Sequence, residues 1–116
     1  MAWVYLYHGT DIASANDILL NGLDANAAGI HNVSGEFWAS TNPGVAEWFA
    51  TGNPAGGSPA VFEFEFPEMV LLRLLTDTPP LAYPHSTAGH VDYEFLASSF
   101  EILNLHMIKK SVRSLP

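Results

Sequence analysis

Three features of the sequence carry side chains that could do chemistry: His8 in Tyr7-His8-Gly9-Thr10, Glu94 in Tyr93-Glu94-Phe95-Leu96, and the aromatic group Phe37, Trp38, Trp48 and Phe49. A histidine at the end of an apolar run can hold a hydroxyl group or exchange a proton near neutral pH. Its plainer role is a satisfied structural group. A carboxylate flanked by tyrosine, phenylalanine and leucine is costly to bury unless it is hydrogen-bonded or used. On strand alternation Glu94 shares a face with Asp92 and Leu96, so a solvent-facing strand is the competing reading. Aromatic side chains hold a flat, electron-poor ring by stacking and cation–π attraction. They equally build a core.

The other histidines, His31, His85, His90 and His106, show no ligand spacing, and His85, His90 and Asp92 in a proline-rich stretch form a pattern of low specificity, so no metal site is expected. There is no cysteine, which excludes thiolate metal sites, disulfide scaffolds and thiol nucleophiles. No glycine-rich phosphate loop occurs.

The elements that must position these residues can be read from the pattern. Val4 to Tyr7 is β-branched and aromatic and reads as a strand entering a turn at Gly9. Ile12, Ala15, Ile18 and Leu19 follow helical spacing, with Thr10 or Asp11 as N-cap and Asn21-Gly22 as the stop. Asp24 to Ser34 reads as a loop, Gly35 to Thr41 as a second strand, and Pro43 to Ala50 as a second short helix. Thr51 to Pro59 is a glycine- and proline-rich connection. Ala60 to Phe66 alternates strictly, with Phe62, Phe64 and Phe66 on one face, and is the clearest strand. Val70 to Leu75 is predicted as an interior strand, Thr76 to Gly89 as a long loop, and Val91 to Leu96 and Phe100 to Ile108 as two closing strands. Two helices early and strands later predict an α+β domain with largely antiparallel pairing.

The chain has 116 residues, enough for one domain and one compact site. Apolar residues make up 48% and charged ones 14%, so disorder is excluded. The formal charge is −8, and the only bases are Arg73, Lys109, Lys110 and Arg113, too few for a surface that tracks nucleic-acid phosphates. The apolar runs are shorter than a membrane span needs, and the first residues lack the basic start of a secretion signal. A cytoplasmic location is expected, although delivery by a separate machinery leaves no mark on a chain this small.

Taken in order, Tyr7-His8-Gly9-Thr10, Gly35-Glu36-Phe37-Trp38-Ala39-Ser40, Ala46-Glu47-Trp48, Val61 to Pro67 and Tyr93-Glu94-Phe95-Leu96 resemble the ADP-ribosyltransferase fold of the diphtheria-toxin and poly(ADP-ribose) polymerase type. The resemblance runs from Tyr5 to Leu105. It implies a minimal α+β fold with two short helices and a mainly antiparallel split sheet of six strands, and NAD as substrate. It implies that His8 hydrogen-bonds NAD ribose hydroxyls, that the Gly9 backbone grips the nicotinamide carboxamide with Thr10 also in the NAD site, and that Glu94 binds the ribose 2′-hydroxyl and stabilises the positive charge that develops at the anomeric carbon. Laid on without a gap, the pattern implies a nicotinamide clamp of Phe37 and Trp48. A shift of one residue makes the clamp Trp38 and Phe49 instead, and both registers fit the sequence.

This sequence departs from the family in lacking a tyrosine at the first clamp position, and the helix serine of the family falls at Gly44, leaving Ser40 as the substitute. Asp92 stands where arginine-modifying branches have a second acid, but those branches carry an arginine where this chain has His8. The resemblance leaves the acceptor open: a protein side chain, nucleic acid or water would all use the same half-site. A nucleic-acid acceptor fits the low basic count worst. The rival expectation is a non-catalytic module that keeps the fold to bind a nucleotide or a partner, which Phe37 in place of tyrosine supports.

Overall fold

Asp11 sets the first corner of the chain. A computed structural model describes residues 2–24, 36–52 and 57–116. Strand β1 (Trp3–Asp11) ends at Asp11, whose carboxylate accepts the Ser14 backbone N–H at 2.8 Å and the Ser14 hydroxyl at 3.0 Å, capping helix α1 (Ile12–Asn21). The helix stops at Gly22, whose φ of 79° favours glycine and whose N–H returns to the Ile18 carbonyl. Strand β2 (Glu36–Ser40) leads to α2 (Pro43–Thr51), which opens with proline in its first turn and with the Asn42 side chain accepting from the Gly44 N–H. Residues 25–34 of the expected loop, with His31, Gly35 at the start of the expected second strand, and residues 53–56 of the 51–59 connection lie outside the described residues.

Strand β3 (Pro59–Pro67) carries the predicted alternation, and Phe62, Phe64 and Phe66 are all buried. After it the structure corrects the sequence reading. Val70 to Leu75 belongs to helix α3 (Glu68–Thr76), not to a strand: Leu71 and Leu74 are buried while Leu72 and Arg73 are exposed, a helical spacing that the unbroken apolar run concealed. The expected loop contains β4 (Ala82–Thr87), which turns at Ala88-Gly89 into β5 (His90–Leu96). Pro84 is tolerated because β4 is an edge strand. After a 3₁₀ turn, Phe100 to His106 forms helix α4 in place of the expected strand, burying Phe100 and Leu103 one turn apart, and β6 (Ile108–Ser114) follows. Among the described residues there are thus four α-helices, where two were expected.

All pairings are antiparallel and the sheet order is β4-β5-β2-β1-β3-β6. The β1–β3 ladder is continuous from Trp3↔Pro67 to Asp11↔Pro59, whereas β1 and β2 share the single pair Tyr7↔Ser40. The sheet therefore consists of two three-stranded blocks, β4-β5-β2 and β1-β3-β6, joined along a thin seam.

One face of the sheet is the core. Leu6, Phe37, Phe62, Phe64, Phe66 and Phe95 pack there against Ala15 and Ile18 of α1, Leu71 and Leu74 of α3, and Phe100 and Leu103 of α4. The phenylalanine rings form a run of tilted and edge-on contacts with centroids 5.6 to 6.5 Å apart, each contributing about 0.5 to 1.5 kcal/mol beyond area burial. The opposite face receives only α2 among the described helices. Gly9 permits this approach, since a Cβ there would collide with the Ala46 backbone carbonyl and lie 2.9 Å from the Ala50 nitrogen. Arg113 of β6 ties this side together by hydrogen bonds to Glu63 at 2.9 Å and Glu47 of α2 at 3.2 Å. Among the described residues no helix is long and apolar enough to cross a membrane.

Candidate functional site

Strand β2 decides which groups can meet. Its side chains alternate, so Phe37 and Ala39 enter the core while Trp38 and Ser40 stand on the α2 face. Directly opposed residues of antiparallel strands share a face, which places Glu94 and Tyr83 beside Trp38, and Asp92 and His85 beside Ser40. On this face Glu94 Oε1 accepts a hydrogen bond from His85 Nε2 at 3.0 Å. The carboxylate can only accept, so that ring nitrogen carries the hydrogen. The His85 ring lies 4.8 Å from the Trp38 ring, tilted by 39°.

Further along the hairpin, His90 Nδ1 donates to Asp92 Oδ1 at 3.0 Å. The Thr87 hydroxyl is 2.7 Å from His90 Nε2 and 3.3 Å from Nδ1. Being close to both nitrogens, the hydroxyl is not in line with either one. Across from the hairpin the exposed side of α2 presents Trp48 and Phe49, 71% and 55% exposed, their rings edge to face at 5.1 Å. A cleft of about 420 Å³ lies between, lined by Trp48 and Phe49 on one side and Thr87, His90 and Asp92 on the other. No lysine or arginine lines it.

The remaining residues expected at the site are elsewhere. His8 is buried on the core face, its ring 4.3 Å from that of Phe37 and its Nδ1 2.6 Å from the Trp38 carbonyl oxygen. Thr10 is buried on the same side. Gly9 lies beneath α2. Phe37 is fully buried among Phe64 and Phe95. Phe37 and Trp48 therefore lie on opposite faces of the sheet and do not face each other. The register shifted by one residue puts both of its rings, Trp38 and Phe49, on the Glu94 side. The Ser40 hydroxyl accepts the Asn42 N–H at 3.0 Å. His8 and Glu94 are likewise separated by the sheet, so the structure does not bring the histidine and the glutamate of the expected pair together.

No protein-family model, curated protein or solved structure matches the chain.

His85, expected in a loop, lies on β4. The two-residue Ala88-Gly89 turn, with Gly89 at φ 92°, sets Thr87 opposite His90 and so His85 opposite Asp92 and Tyr83 opposite Glu94, and Ala-Gly is not one of the dipeptides that mark such a hairpin in a sequence. The arrangement as a whole is a carboxylate held by a histidine N–H beside an exposed aromatic ring, 40% exposed in the case of Trp38. Such a group can stabilise positive charge next to a stacked flat ring. Among the described residues no group of three or more histidine and acidic side chains is placed to hold a metal ion.

Proposed function

We propose that the chain is an NAD-dependent ADP-ribosyltransferase or NAD glycohydrolase whose site is the face of the sheet that carries Trp38, Glu94 and the cleft beside α2. The observation that supports this best is Glu94. Its side chain is 21% exposed, opposite Trp38 and two residues along the strand from the cleft-lining Asp92. Cleavage of the nicotinamide–ribose bond leaves positive charge at the anomeric carbon, and a fixed carboxylate in a partly dry site is an effective stabiliser of it. In this reading Trp38 and Phe49 hold the nicotinamide ring, and Phe37 and His8 support them from behind. The thin seam between the two blocks fits the split sheet of the resembled fold.

The dianionic pyrophosphate of NAD meets no lysine or arginine at the cleft, so affinity rests on backbone donors and stacking. ADP-ribose passes to a protein acceptor or to water. A cytoplasmic location goes with a soluble dinucleotide substrate.

The second reading is a non-catalytic module that binds a nucleotide or partner, and the burial of His8 away from Glu94 is what favours it. Free nicotinamide measured after incubation with NAD separates the two. Release by the wild type that Glu94→Gln lowers about 100-fold supports the transferase or glycohydrolase. Binding of NAD without release supports the module, and neither binding nor release sinks both.

A further inference from the structure

We propose that His85 is the positioning residue of Glu94: its imidazole fixes one carboxylate oxygen and leaves the other for substrate. This inference rests on the reading of Glu94 as the charge-stabilising group. Three strands converge at the contact. β2 supplies Trp38, β5 supplies Glu94 directly opposite it, and β4 supplies His85, whose Nε2 is 3.0 Å from Glu94 Oε1.

A glutamate on a strand face has several rotamers, and one in free rotation would spend little time aimed at a reacting carbon. His85 restricts it, and the Trp38 ring 4.8 Å away restricts His85. The choice of donor matters as well. A lysine or arginine in this place would bring a permanent positive charge to a carboxylate whose use is to face a developing cation. An imidazole N–H holds the carboxylate without bringing a permanent charge. The other polar groups of the hairpin on this face are Tyr83, Thr87, His90 and Asp92, and His90 is itself engaged by Asp92 at 3.0 Å. His85 is 48% exposed on an edge strand, so its replacement leaves the core intact.

The test compares His85→Ala, His85→Phe and His85→Gln with the wild type by kcat and KM for nicotinamide release from NAD. Phenylalanine keeps a ring on Trp38 but no donor, and glutamine keeps a donor but no ring. Loss of positioning lowers kcat about tenfold or more in the alanine and phenylalanine variants, with KM within about twofold, and glutamine restores most of the rate. A phenylalanine variant as fast as wild type, a glutamine variant as slow as alanine, or a loss confined to KM overturns the proposal. A spectroscopic readout is independent of activity. The ¹⁵N and N–H signals of His85 Nε2 must shift between wild type and Glu94→Ala, which removes the acceptor, and unchanged signals overturn the proposal too. Nicotinamide release that depends on Glu94 but not on His85 removes this inference and leaves the proposed function standing. Absence of any Glu94-dependent release removes both.

Discussion

His8 Nδ1 donates to the Trp38 carbonyl oxygen over 2.6 Å, and this bond crosses the seam where β1 and β2 share only the Tyr7↔Ser40 pair. A side chain here does the work that a backbone ladder does elsewhere in the sheet. The same bond fixes the backbone of the residue whose ring faces Glu94 on the other side.

His8→Ala is expected to lower stability by about 1 to 3 kcal/mol, because it leaves the part-buried Trp38 carbonyl without its donor. His8→Asn, which retains a short donor, should recover part of this. Urea unfolding of the three proteins measures it, and an alanine variant as stable as wild type would show that the bond contributes nothing across the seam.

The two neighbouring aromatics of β2 should separate cleanly. Phe37→Ala removes a fully buried ring and is expected to cost about 3 to 5 kcal/mol. Trp38→Phe should change stability by less than about 1 kcal/mol, as partly exposed positions do. Under the proposed function it should also abolish most of the tryptophan quench caused by NAD. Equal destabilisation at both positions, read by denaturant midpoints, contradicts the assignment of faces.

Tyr5 and Glu65 are cross-strand partners whose ionisations oppose each other. The Tyr5 hydroxyl bonded to Glu65, with Lys109 3.3 Å away, holds the Glu65 carboxyl below its usual value, while Glu65 pushes the Tyr5 phenol up. A lowered carboxyl pKa contributes stability that is complete above the ordinary value of about 4.5 and is lost as pH falls through the folded value. A raised phenol pKa contributes stability that is complete below about 10 and is lost as pH rises through the folded value. Tyr5→Phe should therefore flatten the melting temperature against pH at both ends. An acid limb identical in variant and wild type excludes the coupling.

Gly9→Ala and Gly44→Ala form a matched pair. At Gly9 the added Cβ meets the Ala46 carbonyl and is 2.8 Å from the Ala46 carbonyl carbon, so α2 must move. At Gly44 the nearest atom is the Asn42 Oδ1 at 3.2 Å, a side-chain atom that can yield. The first variant is expected to lose at least about 3 kcal/mol as severe overpacking, and the second less than about 1 kcal/mol. Similar thermal shifts for both would mean that α2 sits loosely on the sheet.

What could be read in the sequence follows from how local the signals were. The helix cap, open between Thr10 and Asp11 and found at Asp11, the glycine stop and the Phe62-Phe64-Phe66 alternation are decided within a few residues, and all three are present. Alternation also put Glu94 and Asp92 on one face, as they are. Val70 to Leu75 was ambiguous because a buried apolar run fits either period. The Glu68 and Arg73 charges at the two ends of α3 were the available helix signal. β4 was obscured because an exposed edge strand needs no apolar alternation. The placement of His8 behind the sheet depends on which face α2 covers, and no local pattern encodes that.

The two-block sheet has a consequence for how the protein can be made and divided. The chain crosses the seam at β1 to β2, β2 to β3, β3 to β4 and β5 to β6. No single cut gives a fragment that contains all three strands of one block without most of the other. During synthesis β3 emerges long before β6, its neighbour on the outer side. A nascent chain that ends before β6 therefore presents β3, with its row of phenylalanines on one face, as an open edge. That unpaired strand edge is a template for association with other chains, and it closes only when the final segment docks, taking Glu63 and Glu65 into pairs with Arg113 and Lys109.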